Sequence, residues 1–171
     1  MTEQAAGAAI EDTVFELLKN HDLTVSTAES CTGGLLAGRL INVAGASDIM
    51  KVGFVTYSNK AKRKYLGVKK STLEKHGAVS RECAAEMVKG LVKETGADVG
   101  LSTTGIAGPG GGTDKKPVGL VYIGCSVNKK VKVIMCRFTG TRQEIRQKAV
   151  EEALNLLISC MNDQYTENGS K

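Results

Sequence analysis

A single-domain α/β fold, a three-layer α/β/α sandwich with a mixed sheet, is predicted by three observations. β-Branched runs alternate with stretches of helical periodicity along the 171 residues. Two of the later runs, 118–127 and 131–138, are separated only by Asn128-Lys129-Lys130, so they must pair as an antiparallel hairpin. Neither an internal repeat nor an interdomain linker interrupts the pattern. Helices interspersed with strands need a sheet covered on both faces.

The elements follow in order. Ile10, Val14, Leu17 and Leu18 mark a helix ending near Asn20, and residues 23–27 read as a short strand. Leu35, Leu36, Leu40, Ile41 and Val43 recur at three- and four-residue spacing, as the buried stripe of a second helix. After a turn at Gly45-Ala46-Ser47, residues 51–57 form the next strand. Ser58 caps a helix closed by Gly67, and Ser71-Thr72-Leu73-Glu74 has the spacing of a capping box for a short helix ending at Gly77. Ser80 caps a longer helix, buried through Cys83, Ala84, Met87, Val88, Leu91 and Val92 and stopped at Gly96. Residues 98–103 are a strand running into a glycine-rich loop, Gly105 to Gly112. The hairpin follows, and Thr141-Arg142-Gln143-Glu144 opens a final helix with Ile145, Ala149, Ala153, Leu156 and Leu157 inward. The domain is expected over 10–161, with flexible ends at 1–9 and 162–171.

Composition narrows the function classes. With 42% hydrophobic residues but only three Phe, four Tyr and no Trp, the core must be aliphatic. No apolar run approaches the roughly 20 residues of a membrane span, and no secretory signal is visible. Five widely spaced cysteines suit reduced thiols and a cytoplasmic setting better than a disulfide framework. Without a Cys-x-x-Cys pair, and with only two histidines, a metal site is not expected. The net charge of +5 sits in lysine clusters without interleaved aromatics, which reads as solvated loop charge or attraction of a small phosphorylated ligand rather than a nucleic-acid surface. Neither a nucleic-acid nor a membrane partner is expected.

Three stretches that can carry chemistry lie where strands end, the place where α/β sheets bind ligands. The first is Thr27-Ala28-Glu29-Ser30-Cys31-Thr32-Gly33-Gly34. A strand-to-helix turn there would put Ser30 and Cys31 beside free N–H groups and the positive end of a helix dipole, although the same residue types serve ordinary capping. The second is Tyr57-Ser58-Asn59-Lys60-Ala61-Lys62. The third, the glycine-rich loop, fits neither Gly-x-x-x-x-Gly-Lys-Ser/Thr nor Gly-x-Gly-x-x-Gly before a helix, so ATP and NAD are poor candidates and no cofactor is expected. Its glycines let backbone N–H groups approach a ligand, or simply make a mobile loop.

A histidine-activated nucleophile would need His21 or His76, and neither sits in a motif. If Ser30 is a nucleophile, a lysine is the leading base. Lys62 shares a helix face with Tyr65 and Leu66, which should pack inward, while Lys60 and Lys64 face water. A free lysine has a pKa of about 10.4, so serving as a base near pH 7 requires a drop of about 3 units. Burial and the neighbouring Arg63 and Lys64 both act in that direction; the competing reading has Lys62 merely snorkelling past Leu66. Tyr57 is placed to relay a proton or hold the lysine. With no placed histidine, Cys31 reads as a small buried side chain.

The Ser30 octapeptide, Tyr57-Ser58-Asn59-x-x-Lys62, His76-Gly77-Ala78-Val79-Ser80, Gly105-Ile106-Ala107-Gly108-Pro109-x-Gly111-Gly112 and Lys116-Pro117-Val118-Gly119 together resemble the CinA C-terminal domain family. That family includes stand-alone bacterial nicotinamide-nucleotide amidases. The resemblance covers roughly residues 10–161, and the N-terminal molybdopterin-binding-like domain of longer relatives has no counterpart in it. It implies hydrolysis of the carboxamide of nicotinamide mononucleotide to nicotinate mononucleotide and ammonia, in pyridine nucleotide recycling. It also implies a homo-oligomer. Carried onto this sequence, Ser30 is the nucleophile, Lys62 the base and Tyr57 a supporting group. The oxyanion falls to the turn from Ser30 through Thr32 and Gly33, or to Thr104-Gly105, and the backbone of Gly105, Ile106, Ala107 and Gly108 flanks the ribose or base. Arg146 takes the phosphate on the resemblance, with Arg142 added because Arg at a helix start binds such a dianion well. Thr103-Thr104 stand where serine is frequent in relatives, which leaves the role of Thr104 open. A module of the same fold that binds nucleotide without turnover is the alternative.

Overall fold

A computed structural model describes residues 8–166. The elements run α1 (Ile10–Asn20), β1 (Val25–Glu29), α2 (Leu35–Leu40), a 3-10 turn (Ala46–Asp48), β2 (Met50–Val55), α3 (Asn59–Leu66), α4 (Lys70–His76), α5 (Arg81–Thr95), β3 (Val99–Gly105), β4 (Leu120–Val127), β5 (Lys130–Arg137) and α6 (Arg142–Thr166). The expected three-layer sandwich is the observed one. Its sheet has the order β2-β1-β3-β4-β5: β1 pairs in parallel with β2 and β3, and β3, β4 and β5 pair antiparallel.

Alternation along the central strands sorts the two layers. Val99 and Leu101 of β3, with Val121, Ile123 and Cys125 of β4, join α1, α2 and α6 in the larger aliphatic core. The opposite face carries small residues, because α5 lies close against it. A Cβ on Gly100 would come 2.7 Å from Val92, and Ser102 donates its hydroxyl to the Ala84 carbonyl of α5 at 2.8 Å. Leu66, Val68, Cys83, Met87 and Leu91 pack there with Ala28 as a second cluster. α3 is pressed onto α5 where Gly90 faces the Leu66 carbonyl, leaving no room for a Cβ. That contact fixes the helix that carries Lys62.

Several boundaries differ from expectation. The first strand starts at Val25, not Leu23, because Leu23 N–H bonds back to Leu18 and still belongs to the exit from α1. α2 ends at Leu40, so Ile41 is exposed and outside the buried stripe. The Ser71–Glu74 capping box does not form. α4 begins two residues earlier, and Glu86 of α5 accepts instead from the Lys69 N–H (2.8 Å) and the Thr72 hydroxyl (2.7 Å). Ser58, Ser80 and Thr141 do cap their helices. The hairpin turns on Asn128 and Lys129 alone, both with positive φ. α6 continues through 162–166, expected to fray, where Tyr165 accepts a hydrogen bond from Asn128 and stacks on His21. The expected flexibility of 1–7 and 167–171 falls outside the described residues.

Candidate active site

The strand order places the site. β1 is followed by α2 on one face before β2, whereas β2 leads to β3 through α3, α4 and α5 on the other. Successive connections on opposite faces leave a crevice at the carboxyl ends of β1 and β3. Ser30 follows β1, Thr56 and Tyr57 follow β2, and Thr104 and Gly105 close β3. All of them meet there, Thr56 through its carbonyl alone.

Lys62 lies in the second turn of α3 and is 1% exposed. Its Nζ is 2.9 Å from Ser30 Oγ, 2.7 Å from the Thr56 carbonyl and 3.3 Å from the Tyr57 carbonyl. No carboxylate among the described residues balances it, and burial lowers its pKa from 10.5. The cause differs in part from expectation: desolvation carries the shift, opposed by the Cys83 and Cys31 thiols, and Arg63 and Lys64 are not among its main causes. Tyr65, expected inward, is 46% exposed and stacks on Phe54. Tyr57 holds the lysine through its carbonyl, while its ring lies outward, 62% exposed.

A hollow of about 310 Å³ opens over this pair. Ser30, Cys31, Tyr57, Lys62, Thr104, Gly105, Ile106, Ala107, Gly108 and Arg142 line it, joined by Ala78 and Val79 from the loop before α5. Thr104 donates its hydroxyl to the Ala78 carbonyl at 2.8 Å and so ties the two walls together. Arg142 spans the rim, donating to the Gly108 carbonyl at 2.8 Å and the Tyr57 hydroxyl at 3.2 Å. Burial pushes the Cys31 thiol up to about 11, leaving it protonated at neutral pH. His21 and His76 stay outside the hollow.

The Ser30 turn departs from the simple strand-to-helix picture. The chain makes a turn through Gly33 and Gly34, both with positive φ, before α2 starts at Leu35, so Ser30 is not at the helix terminus. Glu29 occupies that terminus. Its fully buried carboxylate accepts from the N–H groups of Leu36 (2.8 Å) and Ala37 (3.1 Å) and from the Thr32 hydroxyl (2.6 Å). Thr32 is also hydrogen-bonded to Thr103, and the Ser30 N–H is spent on the Thr103 carbonyl. Thr32 and Gly33 therefore lie behind the hollow rather than in its wall.

Arg146 is likewise placed differently from expectation. Its Nε and Nη2 each donate at 3.0 Å, to the carbonyls of Cys31 and Thr32, and it is absent from the lining. A guanidinium committed to two turn carbonyls braces the turn. Sequence pattern assigns no role to Glu29, Thr103 or Thr56, although Glu29 lies within the octapeptide and Thr103 beside Thr104. A carboxylate seven residues before a helical N–H is outside the usual capping spacing, and the use of a carbonyl leaves no side-chain signal.

Fold and site define a three-layer α/β domain with a buried serine–lysine pair at the carboxyl end of its parallel strands. The CinA C-terminal domain profile matches residues 7–161, and the chain belongs to that family. A CinA-like protein of Kosmotoga olearia is 54% identical over 149 residues, which are 87% of this chain and 36% of that protein. A competence-damage inducible protein of Clostridium acetobutylicum is 54% identical over 147 residues, 86% of this chain and 36% of the relative. The chain thus spans only 36% of the length of either. Among solved structures, competence/damage inducible protein CihA from Agrobacterium tumefaciens superposes with a TM-score of 0.85 at 43% identity, covering 93% of this chain and 99% of that one. A CinA superfamily protein from Klebsiella pneumoniae gives 0.87 at 35% identity, covering 90% and 96%.

Proposed function

We propose that this domain hydrolyses the carboxamide of nicotinamide mononucleotide to nicotinate mononucleotide and ammonia, with Ser30 as nucleophile and Lys62 as base. The single observation that carries this reading is the 2.9 Å contact between Lys62 Nζ and Ser30 Oγ in a buried setting that lowers the lysine pKa. A neutral amine has two N–H donors and one lone pair. The two donors match the carbonyls of Thr56 and Tyr57, and the lone pair then faces the Ser30 hydroxyl.

Ser30 Oγ attacks the amide carbon while its proton passes to Lys62 Nζ. Lys62 returns that proton to the leaving nitrogen, the C–N bond breaks and ammonia departs. Water attacks the acyl-enzyme, gives a proton to Lys62, and the Ser30–carbon bond breaks as the serine is reprotonated. The N–H group of Cys31 is the oxyanion donor in this reading, since that of Ser30 is already used and Thr32 lies behind the hollow; one such donor contributes roughly 3 kcal/mol. The Gly105–Gly108 backbone flanks the nucleoside. Arg142, at the rim, takes the phosphate, and Arg146 becomes a positioning residue.

The deciding experiment measures ammonia release from nicotinamide, its riboside and its mononucleotide. Turnover of the mononucleotide that vanishes in Ser30→Ala, with binding retained, is expected. Binding without turnover in the unaltered protein would sink the enzyme reading and leave a nucleotide-binding module.

A further inference from the structure

A second hollow, larger than the one at Ser30, lies elsewhere in the domain. It measures about 670 Å³ and lies between the last turns of α5 and the β4–β5 turn. It adjoins Asp98, just before the first residue of β3, whereas Ser30 and Thr104 lie at the other end of the sheet. Five residues at about 3.3 Å each separate Val99 from Thr104, so the two hollows are roughly 17 Å apart or more. They cannot be parts of one small-molecule site.

Three features of its wall point to a ligand. Lys89 and Lys93, one turn apart on α5, and Lys129 of the hairpin all line it, and none forms an ion pair among the described residues. The one carboxylate in the wall, Asp98, is engaged by the N–H and hydroxyl of Thr24, both at 2.9 Å. The carbonyl end of α5 adds about half a negative charge. Three ammonium groups outweigh both, so the hollow is positive. Its remaining surface is mainly apolar, with Val92 contributed by α5 and Val131 by β5. Ser126, fully buried in β4, has a hydroxyl with no hydrogen-bond partner among the described residues and sits in this wall. A buried hydroxyl is costly to leave unpaired.

We propose that this hollow is a second binding site, for a small organic anion with an apolar body. The lysines hold its carboxylate, the valines cover its apolar part and Ser126 supplies a hydrogen bond. Neither an inorganic anion nor an uncharged apolar molecule satisfies both halves of such a wall.

Calorimetric titration of the full chain with three probes tests this: decanoate, inorganic phosphate and 1-decanol. Decanoate should bind saturably with one equivalent per chain, and the other two should not bind in the same concentration range. The double variant Lys89→Glu/Lys93→Glu changes exposed side chains only and should weaken decanoate by about tenfold or more. Lys129→Glu should weaken it in the same direction, as a check independent of α5. Phosphate binding as tightly as decanoate, or decanoate affinity unchanged in both charge variants, overturns the proposal. So does a charge variant whose effect is a changed oligomeric mass with decanoate affinity retained, because the hollow is then an interface between copies.

Discussion

Lys62 makes three polar contacts with one nitrogen, and its burial without a carboxylate is the most consequential residue-level feature of the domain. Because burial lowers its pKa in the folded state, the unfolded chain binds more protons between that value and 10.5. The penalty of a buried charge is therefore complete below the folded pKa and fades as pH rises to 10.5. Relative to Lys62→Met, the unaltered protein should gain stability across that window, read by urea denaturation at pH 7, 8.5 and 10. Turnover should rise with pH as Lys62 loses its proton. Lys62→Met should lose that limb and about 10²–10⁴-fold in kcat; unchanged turnover at neutral pH would remove Lys62 from the mechanism. Cys31 provides the complementary prediction. With its thiol near 11, Cys31→Ala should keep most of the rate, and a dead variant would shift the nucleophile. Arg142→Ala should raise KM with little change in kcat, whereas Arg146→Ala should lower kcat because the turn carrying the Cys31 N–H loses its brace.

At the scale of elements, the site depends on how closely α3 lies on α5. A methyl group on Gly90 would overlap the Leu66 carbonyl, so Gly90→Ala must push the helices apart and move Lys62. A loss of about 1–3 kcal/mol is expected, with turnover falling further than stability alone explains. Gly38 is the matched control: it lies in α2, and a methyl group there would meet nothing within 4 Å. Gly38→Ala should raise stability by about 0.5–1 kcal/mol and leave turnover alone. Thermal melts of the pair decide whether helix contact or helix propensity governs these positions. Caps with local partners were legible in sequence, as Ser58, Ser80 and Thr141 show. α4 and α2 were not, because their N–H groups find Glu86 and Glu29 from elsewhere in the chain or across a turn.

Across the whole molecule, chemistry and anchoring occupy opposite ends of the sheet. Tyr165 ties the end of α6 to His21 and Asn128, far from Ser30. Ending the chain after Met161 should cost about 1–2 kcal/mol and lower Tm, while activity per folded molecule stays unchanged. Lost activity in the folded truncated chain would show that the ends are coupled. Sequence periodicity and turn chemistry determined the layers, the hairpin and the order of elements, because these depend on neighbours a few residues apart; residue chemistry made Ser30 and Lys62 candidates, and the family resemblance implied their roles. Tertiary structure alone decided that Lys62 meets Ser30 across 32 residues, that Arg146 braces the turn instead of lining the hollow, and that Glu29 rather than Ser30 faces the terminus of α2. Those outcomes turn on which buried donor reaches which acceptor once the layers close, and local pattern carries no record of that competition.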